Sequence, residues 1–385
     1  MHLLQSTEHC FGQGLNTKSQ IQNTSKPEPV HCQVSTIQAT AKANQATIPS
    51  PASSANERLQ QITNHFDTRI SSKKLAGKVC VLTGVGHELG IGWATAVLFA
   101  KEGKSLFSSL LFRPLAWTSI NIHGDSFPAL LEKLKSLNPN IGLSTISGDA
   151  SEENLVRSIC QKAIDEHGRL DVFFANAGVA GSAPISQTSY ETSERVMRIN
   201  TMSSWLALKY GSEAMLRGKG GEGNKARGGS IIFTASAAGL KSGAGSTEYS
   251  ASKAAVISLA STGANAYPGA AIRVNAVCPG LIQTQMTGPI FTMSKDKSKI
   301  GQLCPLRRFA VADEVASVVL FLASDDSSYV NGTSIPVDGG LSSSLPVVRD
   351  HSSLPSFLFL YPSDYYQLTS KTAQLKLDSW KTVLG

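Results

Sequence analysis

Tyr249 and Lys253 stand four residues apart in Tyr-Ser-Ala-Ser-Lys, on an alanine-rich stretch with a helical pattern, and that spacing puts both on one helix face. A phenol titrates near pH 10 and is a poor base at neutrality. A fixed cation beside it stabilises the phenolate and makes the pair a usable proton donor and acceptor. Thirteen residues before the tyrosine, Ser236 follows the apolar run Ile231-Ile232-Phe233. Its hydroxyl can hold a substrate oxygen and stabilise charge that develops there. A tyrosine and a lysine at this spacing also occur as an inert pair on a helix surface, so the context must carry the assignment.

A second candidate is the segment Thr83-Gly84-Val85-Gly86-His87-Glu88-Leu89-Gly90-Ile91-Gly92. It follows the buried-strand run Val79 to Leu82 and opens the helical stretch Trp93 to Ala100, which closes at Gly103. Glycines there let the backbone turn tightly and approach a pyrophosphate, while a helix N-terminus offers amide donors and the positive end of its dipole. Such a loop also serves as a plain strand-to-helix turn; the strand before and helix after favour the dinucleotide site.

Further strands are expected at 143–147, 171–175, 230–234 and 272–277, with helices over Ser151–His167 and Tyr249–Ala266. This βαβαβ order predicts an α/β fold, a Rossmann-type doubly wound parallel sheet with right-handed crossovers, whose ligand sits beyond the carboxyl ends of the strands. One domain is expected over 73–343. Residues 1–72, rich in Gln, Asn, Ser and Thr without a sustained period, read as a flexible, disordered N-terminal extension, and 344–385 as a C-terminal tail broken by prolines. The 385 residues carry a net charge of +7 without any block of consecutive basic residues, which argues against nucleic acid as a partner. No run approaches the roughly 18 apolar residues of a membrane span. The start, MHLLQSTEHC, has neither a signal h-region nor a transit-peptide pattern, and the six cysteines lack metal-ligand spacing. A cytoplasmic protein with reduced thiols and no metal site is expected.

From about Lys78 to Leu341 these residues together resemble the classical short-chain dehydrogenase/reductase family. The resemblance implies that Gly84, Gly86, Gly90, Ile91 and Gly92 bind the cofactor, although Thr83-Gly84 precedes the later glycines by two residues more than usual. It implies that Asp149 contacts adenine, and that Asn176, Ala177 and Gly178 belong to the cofactor-binding motif after a central strand, with Ala175 in place of its first asparagine. Asn200 is implied to anchor the water of a proton relay through its backbone. Pro279, Gly280, Ile282 and Thr284 are implied to line the nicotinamide end. Tyr249 would pass the proton, Lys253 would hold the ribose hydroxyls and lower the tyrosine pKa, and Ser236 would hold the substrate oxygen. The implied activity is hydride transfer between NADP(H) or NAD(H) and a small alcohol or ketone, with secondary-metabolite biosynthesis as a setting, in a dimeric or tetrameric homo-oligomer. A non-catalytic dinucleotide-binding sensor or scaffold of the same fold is the alternative; intact Ser236, Tyr249 and Lys253 favour the enzyme.

One stretch departs from the family. Between Gly103 and the helix resuming near Ser126 the connection is about ten residues too long, and Asn121 falls where an acid reading the adenosine ribose is expected. Lack of that acid, with Arg113 nearby, favours NADP. The extra residues read either as a surface loop or as retained non-coding sequence. Thr284 to Arg308, with Met286, Ile290, Phe291 and Met293, lies where a substrate lid is expected.

Overall fold

The computed structural model describes residues 51–107, 126–181, 184–218, 228–241, 244–288 and 304–343, all within one compact unit that starts at Ser50. Strand β1 (Leu75–Leu82) leads through the glycine segment into α2 (Ile91–Glu102), which passes directly into β2 (Gly103–Phe107). Helix α3 (Ser126–Leu137), helix α4 (Glu153–His167) and β3 (Val172–Ala175) follow. Then come α5 (Tyr190–Met197), a π-turn (Arg198–Met202), α6 (Ser203–Arg217) and β4 (Gly229–Thr234). A one-turn helix α7 (Ala237–Leu240), α8 (Thr247–Gly263), β5 (Ile272–Pro279), α9 (Ala312–Ala323) and β6 (Ser334–Val337) complete the order. Ahead of β1 runs α1 (Pro51–Thr68).

The strands form one parallel sheet in the order β2-β1-β3-β4-β5-β6. Successive residues of β1 and β3 feed opposite faces. Cys80, Leu82 and Phe174 pack under α2, α3 and α9, whereas Val79, Val81 and Phe173 pack under α4, α6 and α8. Both faces being covered, the strands read as continuous apolar runs, the pattern of a doubly wound sheet. The chain leaves β1 toward β2 on one side and returns to β3 on the other, so a crevice opens at the carboxyl ends of β1 and β3.

Four expectations are corrected. Residues 143–147 form no strand; Ser144, Thr145 and Ser147 interrupt the apolar run, and Thr145 and Ser147 are exposed. Strand β1 begins four residues early, at Leu75, because its register shifts between Leu75 and Val79, around Gly77 at φ +73°, which hides the start from a pattern search. Gly103 closes α2 as expected but is extended (φ −131°, ψ 170°) and opens β2 at once, where a long connection was expected. The second strand therefore ends at Phe107, well before Asn121, which lies outside the described residues, as does Arg113.

Within the extension expected to be disordered, 51–68 is helical. What ties the following residues down is Glu102 at the end of α2, 1% exposed. It accepts hydrogen bonds from the backbone amides of Ser72 (3.1 Å) and Lys74 (3.2 Å) and from the Ser72 hydroxyl (3.2 Å). Arg69 stands 4.0 Å from its other oxygen. A lone acid at the end of an apolar helix gave no sequence signal for this clasp. Residues 1–50 and 344–385 lie outside the described residues.

Candidate active site

At the carboxyl end of β1, the Thr83 hydroxyl accepts from the amides of Asn176 (3.0 Å) and Ala177 (3.2 Å), joining this loop to the end of β3. Asn176 returns the contact by donating to the Gly84 carbonyl (2.9 Å) and accepts from Thr234 at the end of β4 (2.9 Å). Gly84 has φ +70°, and a Cβ on it would lie 2.7 Å from the Ala177 amide. A Cβ on Gly92 would lie 2.2 Å from the Gly84 carbonyl. No side chain fits at either place, and the N-terminus of α2 opens beside this cradle, the arrangement that receives a pyrophosphate. Gly86 is not in the left-handed region. The two extra residues are taken up by a turn in which Gly90 donates to the His87 carbonyl (2.8 Å) and Leu89 to His87 Nδ1 (3.1 Å). Ile91 begins α2 and packs on the core. His87, silent in the sequence, thus staples the longer loop.

Asp149 precedes α4 in a tight turn. One of its oxygens accepts from the Ser151 amide (2.9 Å) and hydroxyl (2.7 Å), and the other lies 3.4 Å from Arg198. Burial pushes its carboxyl up, but the Ser151 hydrogen bonds and the Arg198 charge outweigh it and hold the pKa below the usual aspartate value.

Asn200 is fully buried in the π-turn. Its amide accepts from the Val179 amide (2.8 Å) and donates to the Val179 carbonyl (3.0 Å) and the Ser252 hydroxyl (2.9 Å). One side chain therefore fixes the loop after β3 to the helix that carries Tyr249 and Lys253. Its carbonyl accepts from Ser204 (3.1 Å). Gly178 fits between Asn200 and Lys253: a Cβ there would be 3.1 Å from Asn200 Oδ1 and 3.3 Å from Lys253 Nζ.

Ser236, Tyr249 and Lys253 converge at the end of β4. Ser236 caps α7, accepting from the Ala238 amide at 3.1 Å. Burial raises the Tyr249 pKa, and a hydrogen bond with the Ser236 side chain works in the opposite direction. Lys253, 4% exposed, donates to the Thr234 carbonyl at 2.7 Å and stands 5.8 Å from the Tyr249 ring centre. Burial pulls its pKa down to about 8, against a weaker upward pull from Cys278. Without cofactor, then, burial holds the phenol up, and the lowering expected from Lys253 does not emerge.

Pro279 ends β5, and Gly280 donates to the Val337 carbonyl (3.1 Å) while lying against Asp338. Ile282 is buried and bridges to Ala310. The Thr284 amide donates to the Thr287 hydroxyl at 3.1 Å. Met286 is 47% exposed; Ile290, Phe291 and Met293 lie outside the described residues. The residues that sequence reasoning missed here are supporting ones, His87, Thr234, Arg198 and Ser252. His87 and Ser252 lie inside the glycine segment and the Tyr-Ser-Ala-Ser-Lys motif, and Arg198 two residues before Asn200, but nothing in those positions announced their contacts.

The family model described as Enoyl-(Acyl carrier protein) reductase matches residues 84–342. A 3-oxoacyl-(acyl-carrier-protein) reductase of Thermotoga maritima is 33% identical over 268 residues, covering 70% of this chain and 99% of its own length. Momilactone A synthase of Oryza sativa subsp. japonica is 33% identical over 277 residues, covering 70% of this chain and 92% of its own. The crystal structure of carveol dehydrogenase from Mycobacterium avium in complex with NAD superposes with a TM-score of 0.62 at 28% identity, over 70% of this chain and 99% of that one. With this fold and this cluster at the ends of its strands, the chain belongs to the short-chain dehydrogenase/reductase family. It is an oxidoreductase of that family with a Rossmann fold, and its cofactor is NAD or NADP.

Proposed function

We propose that the protein interconverts a small secondary alcohol and its ketone with NADP(H) as the preferred cofactor. The observation that carries this reading is the convergence of Ser236, Tyr249 and Lys253 at the end of β4, beside a cradle closed to side chains at Gly84 and Gly92. When bound, the nicotinamide accepts or supplies the hydride. Ser236 holds the substrate oxygen, and Tyr249 delivers the proton to it or takes the proton away. Lys253, with a pKa near 8 before cofactor binds, is poised to exchange protons at neutral pH and to hold the ribose hydroxyls. Asn200 keeps the tyrosine helix and the loop after β3 in register and extends the proton path through its backbone. Gly84, Gly90, Ile91 and Gly92 receive the pyrophosphate, Asp149 the adenine, and Pro279 to Thr284 the nicotinamide end. Gly86, in the same loop, is read with them.

The preference for NADP rests on the residues that follow β2. Ser108 to Phe112 contain no carboxylate and Arg113 comes next, a sequence without the acid that would repel a 2′-phosphate. The relatives named momilactone A synthase and carveol dehydrogenase favour an apolar secondary metabolite as substrate. Exposed Met202 at the end of the π-turn and Trp205 in α6 support self-association into a dimer or tetramer; no described helix is long and apolar enough to cross a membrane, and the free thiols of the described cysteines support a cytoplasmic setting. The test is oxidation of NADPH and NADH against a panel of terpenoid and alicyclic ketones. Turnover is expected with NADPH favoured, and the Tyr249→Phe variant is expected to bind cofactor without turnover. Wild-type rates in that variant would refute the assignment.

A further inference from the structure

We propose that Arg198 is a positioning residue that couples the Asp149 subsite to the catalytic Asn200 turn. This rests on the reading of Asp149 as the adenine contact. Arg198 is the first residue of the π-turn and Asn200 the third. The Arg198 guanidinium, 33% exposed, reaches out of the turn to Asp149 Oδ2 at 3.4 Å and to the Ser151 hydroxyl, with Glu152 and Glu194 each at 3.9 Å. Ser151 occupies Asp149 Oδ1, and Arg198 lies against the other oxygen.

Two residues on, Asn200 grips Val179 and Ser252, and Ser252 adjoins Lys253. A π-turn spaces its backbone bonds differently from the α-helix on either side and is often a feature of functional sites. Here the hydroxyls of Ser203 and Ser204 accommodate it by bonding the carbonyls of Ile199 (2.6 Å) and Asn200 (3.1 Å). Five residues are thus anchored on the adenine side by Arg198 and on the catalytic side by Asn200. Filling one side restrains the other, and linkage makes that effect reciprocal.

The experiment uses the full chain with AMP as the probe of the adenine subsite. AMP affinity is measured by calorimetry and backbone hydrogen exchange over 196–204 by mass spectrometry, with and without saturating AMP. In the wild type AMP is expected to slow that exchange about fivefold, the size of one partly exposed ion pair, and to raise turnover with reduced nicotinamide mononucleotide as hydride donor. In Arg198→Met, AMP affinity is expected to fall about fivefold, and at saturation both effects disappear. Arg198→Lys, which keeps the charge, is expected to recover part of each, and carries the test should the methionine variant not fold. Equal AMP protection in wild type and Arg198→Met overturns the coupling, as does AMP binding to the wild type without any change in exchange. Failure of AMP to bind the wild type overturns the adenine reading of Asp149, and the proposal with it.

Discussion

Lys253 is a buried amine whose pKa falls from the 10.5 of an ordinary lysine to about 8, and this displacement fixes how its removal should depend on pH. Burial disfavours the charged form, so between those two values the unfolded chain holds more protons than the folded one and stability rises with pH. At pH 7 both states are protonated and the folded state bears nearly the whole penalty, about 3 kcal/mol. By pH 10 the folded-state amine is neutral and less than about 1 kcal/mol remains. Lys253→Met removes the charge and keeps the stem that packs against its neighbours. The difference in unfolding free energy, variant minus wild type, should therefore shrink by about 2 to 3 kcal/mol from pH 7 to pH 10, while titrating groups that do not feel the Lys253 charge cancel. Urea unfolding of both proteins at pH 7, 8, 9 and 10, followed by far-ultraviolet circular dichroism, measures it. The loss of the 2.7 Å contact to Thr234 moves both ends of the curve together and leaves the slope intact. A difference that stays flat across this range would show that Lys253 is not desolvated in the folded protein, and the argument for a lysine poised near neutrality would fall with it.

Gly92→Ala should weaken cofactor binding at least tenfold, because its Cβ would meet the Gly84 carbonyl at 2.2 Å and push the pyrophosphate cradle open; fluorescence titration with NADPH checks it. Glu102→Ala should cost about 1 to 3 kcal/mol, since it removes the charged acceptor of two part-buried backbone amides. It should also open Arg69, Lys73 and Lys74 to trypsin, and an unchanged digestion pattern would refute the clasp. Thr83→Val keeps the shape but removes the acceptor for the Asn176 and Ala177 amides. A loss of about 1 to 3 kcal/mol in urea is expected, with cofactor affinity falling alongside.

Much of this molecule can be read in its sequence because both sheet faces are covered: Phe173-Phe174 and Ile231-Ile232-Phe233 have to be central strands. Tyr249 and Lys253 were legible because a helix converts a four-residue spacing into a shared face. What escaped are features that depend on contacts between segments distant in the chain. The Leu75 end of β1 is masked by its bulge, and 143–147 keeps an apolar look although its polar residues leave it outside the sheet. The helix over 51–68 lies in a Gln- and Asn-rich stretch whose weak pattern resembles a linker. Glu102 could be assigned only once the chain before β1 was seen to fold back on it, 28 to 30 residues away in sequence. His87 and Arg198 likewise look like ordinary surface residues until their partners are in place.

The π-turn has a consequence for how this chain tolerates insertions and deletions. A π-turn is equivalent to an α-helix carrying one surplus residue, and each helical residue turns the chain by about 100°. Deleting any single residue within 198–202 would let α5 and α6 fuse into one regular helix, which is the locally favoured conformation. Four residues of regular helix turn the chain about as far as the five of the π-turn do, so Val196 on one side and Leu206, Ala207 and Tyr210 on the other would keep their buried faces. What the deletion removes is the wider turn in which Asn200 sits between Val179 and Ser252. This short stretch of helix is therefore one where a loss of length spares the packing of its flanks and strikes the site, although nothing in its composition marks it as different from the helices around it.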